Sequence, residues 1–251
     1  MTTGEFRNKL VVVTGAAGIY GRELARHFAA LGARLALTDL RMTEAGSADT
    51  PLAELFDCDL TDMGQIQQFR DDVGVRMGTP EIVVANAGIY PFGGLFDTKP
   101  EVFDRVFDVN VRANFFLARY FGEAMISERR EGCFVFIGSA AAHILRTNGL
   151  AYCASKRALE WMMKGIALEL SPHGIRVNMV EPGLALGGAD GPMPAGYAEA
   201  ITSQLPLGRL IREGEMAKAV AFLASSAASF TTGATLSVDG GGAIPRRMKL
   251  S

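Results

Sequence analysis

The sequence predicts an α/β fold built as one doubly wound parallel sheet, and three observations carry that expectation. Short apolar runs of Val, Ile, Leu and Phe alternate with longer helical patterns along all 251 residues. Several runs are apolar without a break, as strands covered on both faces must be. Glycine, 29 residues in all, collects at the turns between them. Strand–helix alternation with right-handed crossovers closes into a parallel sheet with helices on both faces. No linker-like stretch divides the chain, so residues 1–251 read as a single domain.

In chain order the first strand is Leu10–Val13. The turn Thr14-Gly15-Ala16-Ala17-Gly18-Ile19-Tyr20-Gly21 follows it and opens a helix over Gly21–Leu31. Strands at Arg34–Thr38 and Glu54–Asp57 come next, then a helix at Asp62–Arg76 and a strand at Ile82–Ala85. Glu101–Arg129 reads as one long helical stretch, followed by a strand at Cys133–Ile137 and a helix at Ala151–Leu170. Arg176–Val180, the helix Gly214–Ala224 and Thr235–Val238 complete the pattern. Leu184 to Leu207 departs from this economy, with Gly187, Gly188, Gly191, Gly196, Pro192, Pro194 and Pro206 around a short helical patch. It reads as a long surface loop or, as loops of this length in compact domains favour, a lid over a ligand at about 184–207.

Composition narrows the function classes. Formal net charge is −2 with Lys and Arg scattered, which argues against a nucleic-acid footprint. No apolar run reaches the length of a membrane span, and the first residues lack the apolar core of a signal peptide. Cys58, Cys133 and Cys153 form no CxxC pair, and His27, His143 and His173 are dispersed, so no metal site is expected. A reducing cytoplasm fits this cysteine usage.

The chemistry concentrates in Tyr152-Cys-Ala-Ser-Lys156. Tyr and Lys four residues apart share a helix face. A phenol with an ordinary pKa of about 10 is a poor base at neutral pH, and a neighbouring ammonium lowers that value. The pair can then exchange a proton with an alcohol or ketone. Ser139 lies thirteen residues upstream, after the run Cys133–Ile137; Asn110 and the Asn86-Ala87-Gly88 turn lie further upstream. Ligands in doubly wound sheets bind beyond the carboxyl ends of the strands, and the glycine turn, Asp39, Asn86 and Ser139 each follow a strand.

Together with Val11-Val-Val-Thr14-Gly15 and Val238-Asp239-Gly240-Gly241, these residues resemble the classical short-chain dehydrogenase/reductase (SDR) family over nearly the whole chain. The resemblance implies a Rossmann-type fold and hydride transfer between NAD and a secondary alcohol or its ketone. It implies a catalytic set of Ser139, Tyr152, Lys156 and Asn110, the last holding a relay water beside the lysine. It implies a nicotinamide cofactor held by Gly15, Gly18, Ile19, Tyr20, Gly21, Asp39, Asp59, Leu60, Asn86, Ala87, Gly88, Tyr152, Lys156, Pro182 and Gly183. Classical members carry TGxxxGxG, whereas this chain reads TGxxGxxG, with Ile19 at the middle glycine's place. Gly187 stands where the family has a threonine beyond Pro182-Gly183.

A carboxylate at Asp39 favours NAD, since it binds both ribose hydroxyls and repels the 2′-phosphate of NADP. For the substrate, family geometry points to Tyr90, Phe92, Ala141, His143, Leu145, Leu184 and Met193, with Tyr197 in the lid. That lining suggests an apolar, cyclic or aromatic alcohol. His143 reads either as a substrate ligand or as a histidine satisfied by its own loop, and Arg146 either as a carboxylate anchor or as a solvated side chain. Competing readings are an NADPH-preferring 3-oxoacyl or carbonyl reductase, and a catalytically silent nucleotide-binding regulator. An enoyl reductase fits less well, because such relatives place six residues between tyrosine and lysine. The family's pairing through its long central helices implies a homotetramer.

Overall fold

A computed structural model describes residues 4–45, 50, 52–185 and 196–244. Seven strands form one sheet in the order β3-β2-β1-β4-β5-β6-β7, every neighbouring pair parallel. They are β1 (Leu10–Thr14), β2 (Arg34–Asp39), β3 (Ala53–Asp57), β4 (Ile82–Ala85), β5 (Gly132–Ile137), β6 (Ile175–Pro182) and β7 (Thr235–Val238). All seven lie where the apolar runs place them. The helices are α1 (Ile19–Ala30), the short α2 (Met42–Ala45), α3 (Met63–Arg76), α4 (Pro100–Phe107), α5 (Ala113–Ser127), α6 (Leu150–Leu170), α7 (Tyr197–Thr202) and α8 (Glu215–Ala224).

The central strands are buried on both faces because two separate cores cover them. On one face Phe69 of α3, Leu117 and Phe121 of α5, and Leu159 and Met163 of α6 pack on Val12, Val83, Phe134 and Phe136. On the other, Leu24 and Phe28 of α1 and Met216, Val220 and Ala221 of α8 pack on Val11, Val13, Val84 and Val135. Alternate residues of β1, β4 and β5 therefore serve opposite cores, which is why these strands read as unbroken apolar runs. Strand order reverses between β1 and β4, and the crevice at their carboxyl ends is where such sheets bind ligands.

One element differs from expectation. The stretch expected as a single helix from Glu101 is divided into α4 and α5 by a π-helical turn at Asp108–Arg112. Asn110 lies fully buried in that turn. Its carboxamide accepts from the Ile89 N–H (2.9 Å) and donates to the Ile89 carbonyl (3.0 Å) and to Ser155 Oγ (3.0 Å). Asn114 Nδ2 donates to the Asn110 carbonyl at 2.9 Å. The widened turn points Asn110 at the chain after β4 instead of along the helix surface, and π turns of this kind recur at functional sites.

Candidate active site

The glycine turn after β1 is held by backbone contacts that admit no side chain. Gly15 has φ +62°, and a Cβ there would lie 2.7 Å from the Ala87 Cα. A Cβ on Gly21 would come within 2.1 Å of the Gly15 carbonyl. Thr14 and Asn86 fasten this turn to the end of β4. Thr14 Oγ1 accepts from the Asn86 and Ala87 N–H groups at 3.1 Å each, and Asn86 Nδ2 donates to the carbonyls of Thr14 (2.9 Å) and Gly15 (3.1 Å).

Helix α1 begins at Gly18 with no side chain capping it. Its first-turn N–H groups thus face the crevice, where a pyrophosphate would satisfy them. Asp39, at the end of β2, accepts from the Ala17 N–H (3.0 Å) and the Leu40 N–H (2.8 Å). Each of its oxygens keeps a lone pair for a ribose hydroxyl. Arg41, two residues beyond Asp39, lies exposed 3.9 Å from Glu44. Tyr20 donates its hydroxyl to the Gly183 carbonyl at 2.9 Å, closing the far side of the crevice against β6.

A cavity of about 540 Å³ runs along these strand ends. Of the residues expected around the cofactor, Gly15, Gly18, Ile19, Tyr20, Asp39, Asp59, Leu60, Asn86, Ala87, Gly88, Tyr152, Lys156, Pro182 and Gly183 line it. Gly21 lies behind the turn, where it serves the close approach to Gly15. Ser139 joins Tyr152 and Lys156 in the wall. Asn110 is one layer back and acts on the site through Ile89 and Ser155. A nicotinamide dinucleotide fits this donor set: an uncapped helix N-terminus for phosphate, a carboxylate for ribose, and an apolar stretch at Leu60 for a base.

At the other end of the cavity the expected substrate wall is partly corrected. Tyr90, Phe92 and Leu184 line it, with Tyr197 from α7. Ala141 is buried under the 140–142 turn instead. Leu145 points outward, 82% exposed. His143 turns away from the cavity because the fully buried carboxylate of Glu181 takes its ring, Nε2 lying 3.0 Å from one oxygen and 3.2 Å from the other. Met193 and Gly187 lie outside the described residues. Arg146 replaces the missing apolar wall, lining the cavity half-buried with Nη1 donating to Tyr197 Oη at 2.7 Å. Sequence reasoning missed Arg105, Val109, Ile89 and Ala17 in the lining. Their one signal is a position next to a motif.

The relatives agree with this geometry. A family model described as Enoyl-(Acyl carrier protein) reductase matches residues 15–242. Over 248 residues the chain is 31% identical to galactitol 2-dehydrogenase of Agrobacterium fabrum, covering 93% of this chain and 97% of that protein. It is 32% identical to D-threitol dehydrogenase of Mycolicibacterium smegmatis, covering 93% and 92% of the two chains. The chain belongs to the short-chain dehydrogenase/reductase family. A short-chain dehydrogenase from Leptospira borgpetersenii, solved with bound NAD+, superimposes with a TM-score of 0.88 at 26% identity, over 96% of this chain and 95% of that one.

Within this short-chain dehydrogenase the electrostatics of the Tyr–Lys pair differ from the sequence expectation. Burial pushes the Tyr152 phenol up to about 12, while a hydrogen bond from Ser139 and the charge of Arg146 work against that rise. Lys156 sits 5.8 Å from the Tyr152 ring centroid and donates to the Ile137 carbonyl at 2.9 Å. Burial pushes the lysine itself down to about 8, with Glu181 opposing. In this arrangement the Ser139 hydrogen bond and the Arg146 charge ease ionisation of Tyr152.

A lysine held below its unfolded value costs stability wherever it is still protonated. Between about 8 in the folded chain and about 10.4 unfolded, the unfolded chain binds more protons, so stability rises with pH across that window. Lys156→Met removes the buried charge. The variant is expected to be more stable than the parent at pH 7 by about 1–3 kcal/mol, the gap closing towards pH 10. Urea denaturation of both proteins at the two pH values checks this; equal or lower stability of the variant at pH 7 would refute it.

Proposed function

We infer from the family that this protein is an oxidoreductase acting on CH–OH groups. We propose, more narrowly, that it is an NAD-dependent enzyme interconverting a secondary alcohol and its ketone, with Ser139, Tyr152, Lys156 and Asn110 as its catalytic set. The observation that carries this reading is the convergence of Ser139, Tyr152 and Lys156 on one wall of the cavity whose other end holds Asp39. The nicotinamide ring, when bound, supplies the hydride acceptor for oxidation or the donor for reduction.

The chain's own residues do the rest. Ser139 and Tyr152 form the pair that grips the substrate oxygen, the serine donating to it where negative charge develops. Tyr152 takes the hydroxyl proton as the phenolate during oxidation and returns it as the phenol during reduction. Lys156, between the Ile137 carbonyl and Gly88, faces the ribose side of the cavity. Asn110 fixes the backbone at Ile89, so Gly88 and Tyr90 on either side of it stay in place. Phe92, Tyr90 and Tyr197 pack as an aromatic group, with ring centroids of Phe92 at 4.9 Å from Tyr90 and 5.9 Å from Tyr197, and exclude water from the reacting end. Of the segment about 184–207 expected as a lid on a single catalytic domain, residues 186–195 lie outside the described residues, while Leu184 and Tyr197 line the cavity.

Dinucleotide preference rests on Asp39, with Arg41 turned to Glu44. The comparison of kcat/KM with NAD and NADP should favour NAD by at least tenfold, and Asp39→Ala should narrow or reverse the ratio. Higher efficiency of the parent protein with NADP would favour the carbonyl-reductase alternative.

Tyr152→Phe should lower turnover by at least a thousandfold while NADH binding, followed by fluorescence titration, stays within a few-fold of the parent. Substantial steady-state activity in that variant would sink the catalytic assignment. Loss of binding along with activity would point to misfolding, which a thermal melt separates.

The quaternary proposal is a homotetramer built through α5 and α6. Leu159 and Met163 face the core, but Trp161 (75%) and Leu168 (79%) on α6 lie exposed. Phe115 projects from α5 as well. An apolar helix face of this kind marks an interaction surface. Light scattering at micromolar concentration should give about four times the chain mass, and a monomer would refute the proposal.

A further inference from the structure

Arg146 lines the cavity, and hydride and proton transfer alone do not account for it. It is half-buried in the wall that also carries Tyr152, and its charge acts on the Tyr152 phenol. Its described partners are neutral: Tyr197 Oη accepts from Nη1 at 2.7 Å, and the Tyr90 hydroxyl makes a second hydrogen bond. Tyr90 and Tyr197 hydroxyls are themselves 3.3 Å apart, so three side chains from three segments form one polar cluster. Among the described residues, no carboxylate lies within ion-pair distance of Arg146, although thirteen ion pairs occur elsewhere.

A half-buried guanidinium held only by phenols is costly unless an anion completes it. The cluster is also placed to reach a substrate. Tyr90 lies tilted against Tyr152, with ring centroids 4.3 Å apart and planes at 41°, while its hydroxyl reaches Tyr197 beside Arg146. The guanidinium is thus one aromatic ring removed from the group that handles the substrate proton. A single planar fork matches one carboxylate, which it binds through two parallel N–H···O bonds. Arg105, the other arginine of the lining, is exposed on α4, the helix that packs beside Asn110. It is not part of the tyrosine cluster, so among the described residues Arg146 is the arginine that faces the reacting end.

We propose that the substrate is a hydroxy acid, and its product the corresponding oxo acid, with Arg146 binding the carboxylate while Tyr90 and Tyr197 aim the guanidinium. This rests on the alcohol–ketone reading above. Oxidation removes a hydride from the carbinol carbon to the nicotinamide and the hydroxyl proton to Tyr152; the carboxylate is unchanged and serves as a handle. The aromatic wall then packs against the carbons between the two groups, in place of the cyclic apolar alcohol that the sequence suggested.

The test uses 2-, 3- and 4-hydroxy acids of four to six carbons, each beside its methyl ester, with NAD and the full-length protein. For at least one spacing, kcat/KM for the acid should exceed that of its ester by tenfold or more. Arg146→Gln should erase that ratio by raising KM for the acid. Because the charge of Arg146 also acts on Tyr152, kcat for acid and ester falls in common, and the acid-to-ester ratio of kcat/KM is the readout of carboxylate binding. Arg146→Lys should restore part of it, since charge without the fork binds a carboxylate less well. Calorimetry with butyrate gives a readout independent of turnover: binding to the parent and none to Arg146→Gln is expected. Esters matching or outperforming every acid, equal losses for both in Arg146→Gln, or no butyrate binding would each overturn the proposal. Failure to oxidise any secondary alcohol at all would instead overturn the alcohol–ketone reading.

Discussion

The fold depends on one approach of backbone to backbone, the packing of Gly21 under the Gly15 carbonyl and of Gly15 against Ala87. A methyl group at either glycine would overlap main-chain atoms, at 2.1 Å and 2.7 Å, and main chain at a strand end has no rotamer to give. This contact brings the start of α1 down onto the sheet at the point where strand order reverses, and it frees a helix N-terminus to face the crevice. Thr14 and Asn86 then tie β1 to β4, so the phosphate end of the cavity and the wall leading to Gly88 move as one body. Replacing the middle glycine of the family pattern by Ile19 leaves this contact untouched, because Ile19 lies on the outer side of the turn, 40% exposed.

The reacting end is organised by the opposite circumstance, ionisable groups buried where water cannot compensate them. Lys156 and Tyr152 are both displaced by burial in the direction that favours their neutral forms. Glu181, without exposure, is likewise raised by burial, and His143 and Ser237 hydrogen-bond to it. Stability is given up here so that proton-transfer groups sit close to one another in a weakly screened space, where small changes in geometry shift their ionisation strongly. The thiols show the inert version of the same effect: Cys58 is pushed up to about 12 and Cys133 to about 11 by burial, which leaves them unreactive packing groups.

Every strand and the main helices were legible, because burial on both faces leaves a compositional trace that period alone reads. The glycine turn, Asp39 and the Ser139–Tyr152–Lys156 set were legible for a different reason, since each follows a strand or shares a helix face at fixed spacing. The π turn at Asp108–Arg112 was not. Helical periodicity continues across it, and the demand for it comes from Ile89, about twenty positions away. The substrate wall was the weakest reading for a related reason. Residues after Ser139 leave in a short turn whose facing is decided by partners elsewhere in the chain. His143 goes to Glu181, Leu145 to solvent and Arg146 to Tyr197.

The His143–Glu181–Glu160 group shows how far such long-range demands reach. Their ligand atoms lie within 4.8 Å of one another, a set that elsewhere holds a cation. Here Glu160 is already matched by Arg157 at 2.5 Å and Lys164 at 3.0 Å, and Glu181 by the His143 ring. Charge balance is therefore supplied from within the protein, by side chains that α6 and the turn after Ser139 bring together. That turn is anchored at both ends, by Ser139 accepting from the Ala141 N–H at 3.2 Å and by His143 on Glu181. Arg146 leaves it three residues later, close enough to the anchor for its direction to be fixed. The buried carboxylate of Glu181 thus takes His143 out of the cavity wall. The contact that takes His143 away from the cavity is the same one that leaves Arg146 to line it.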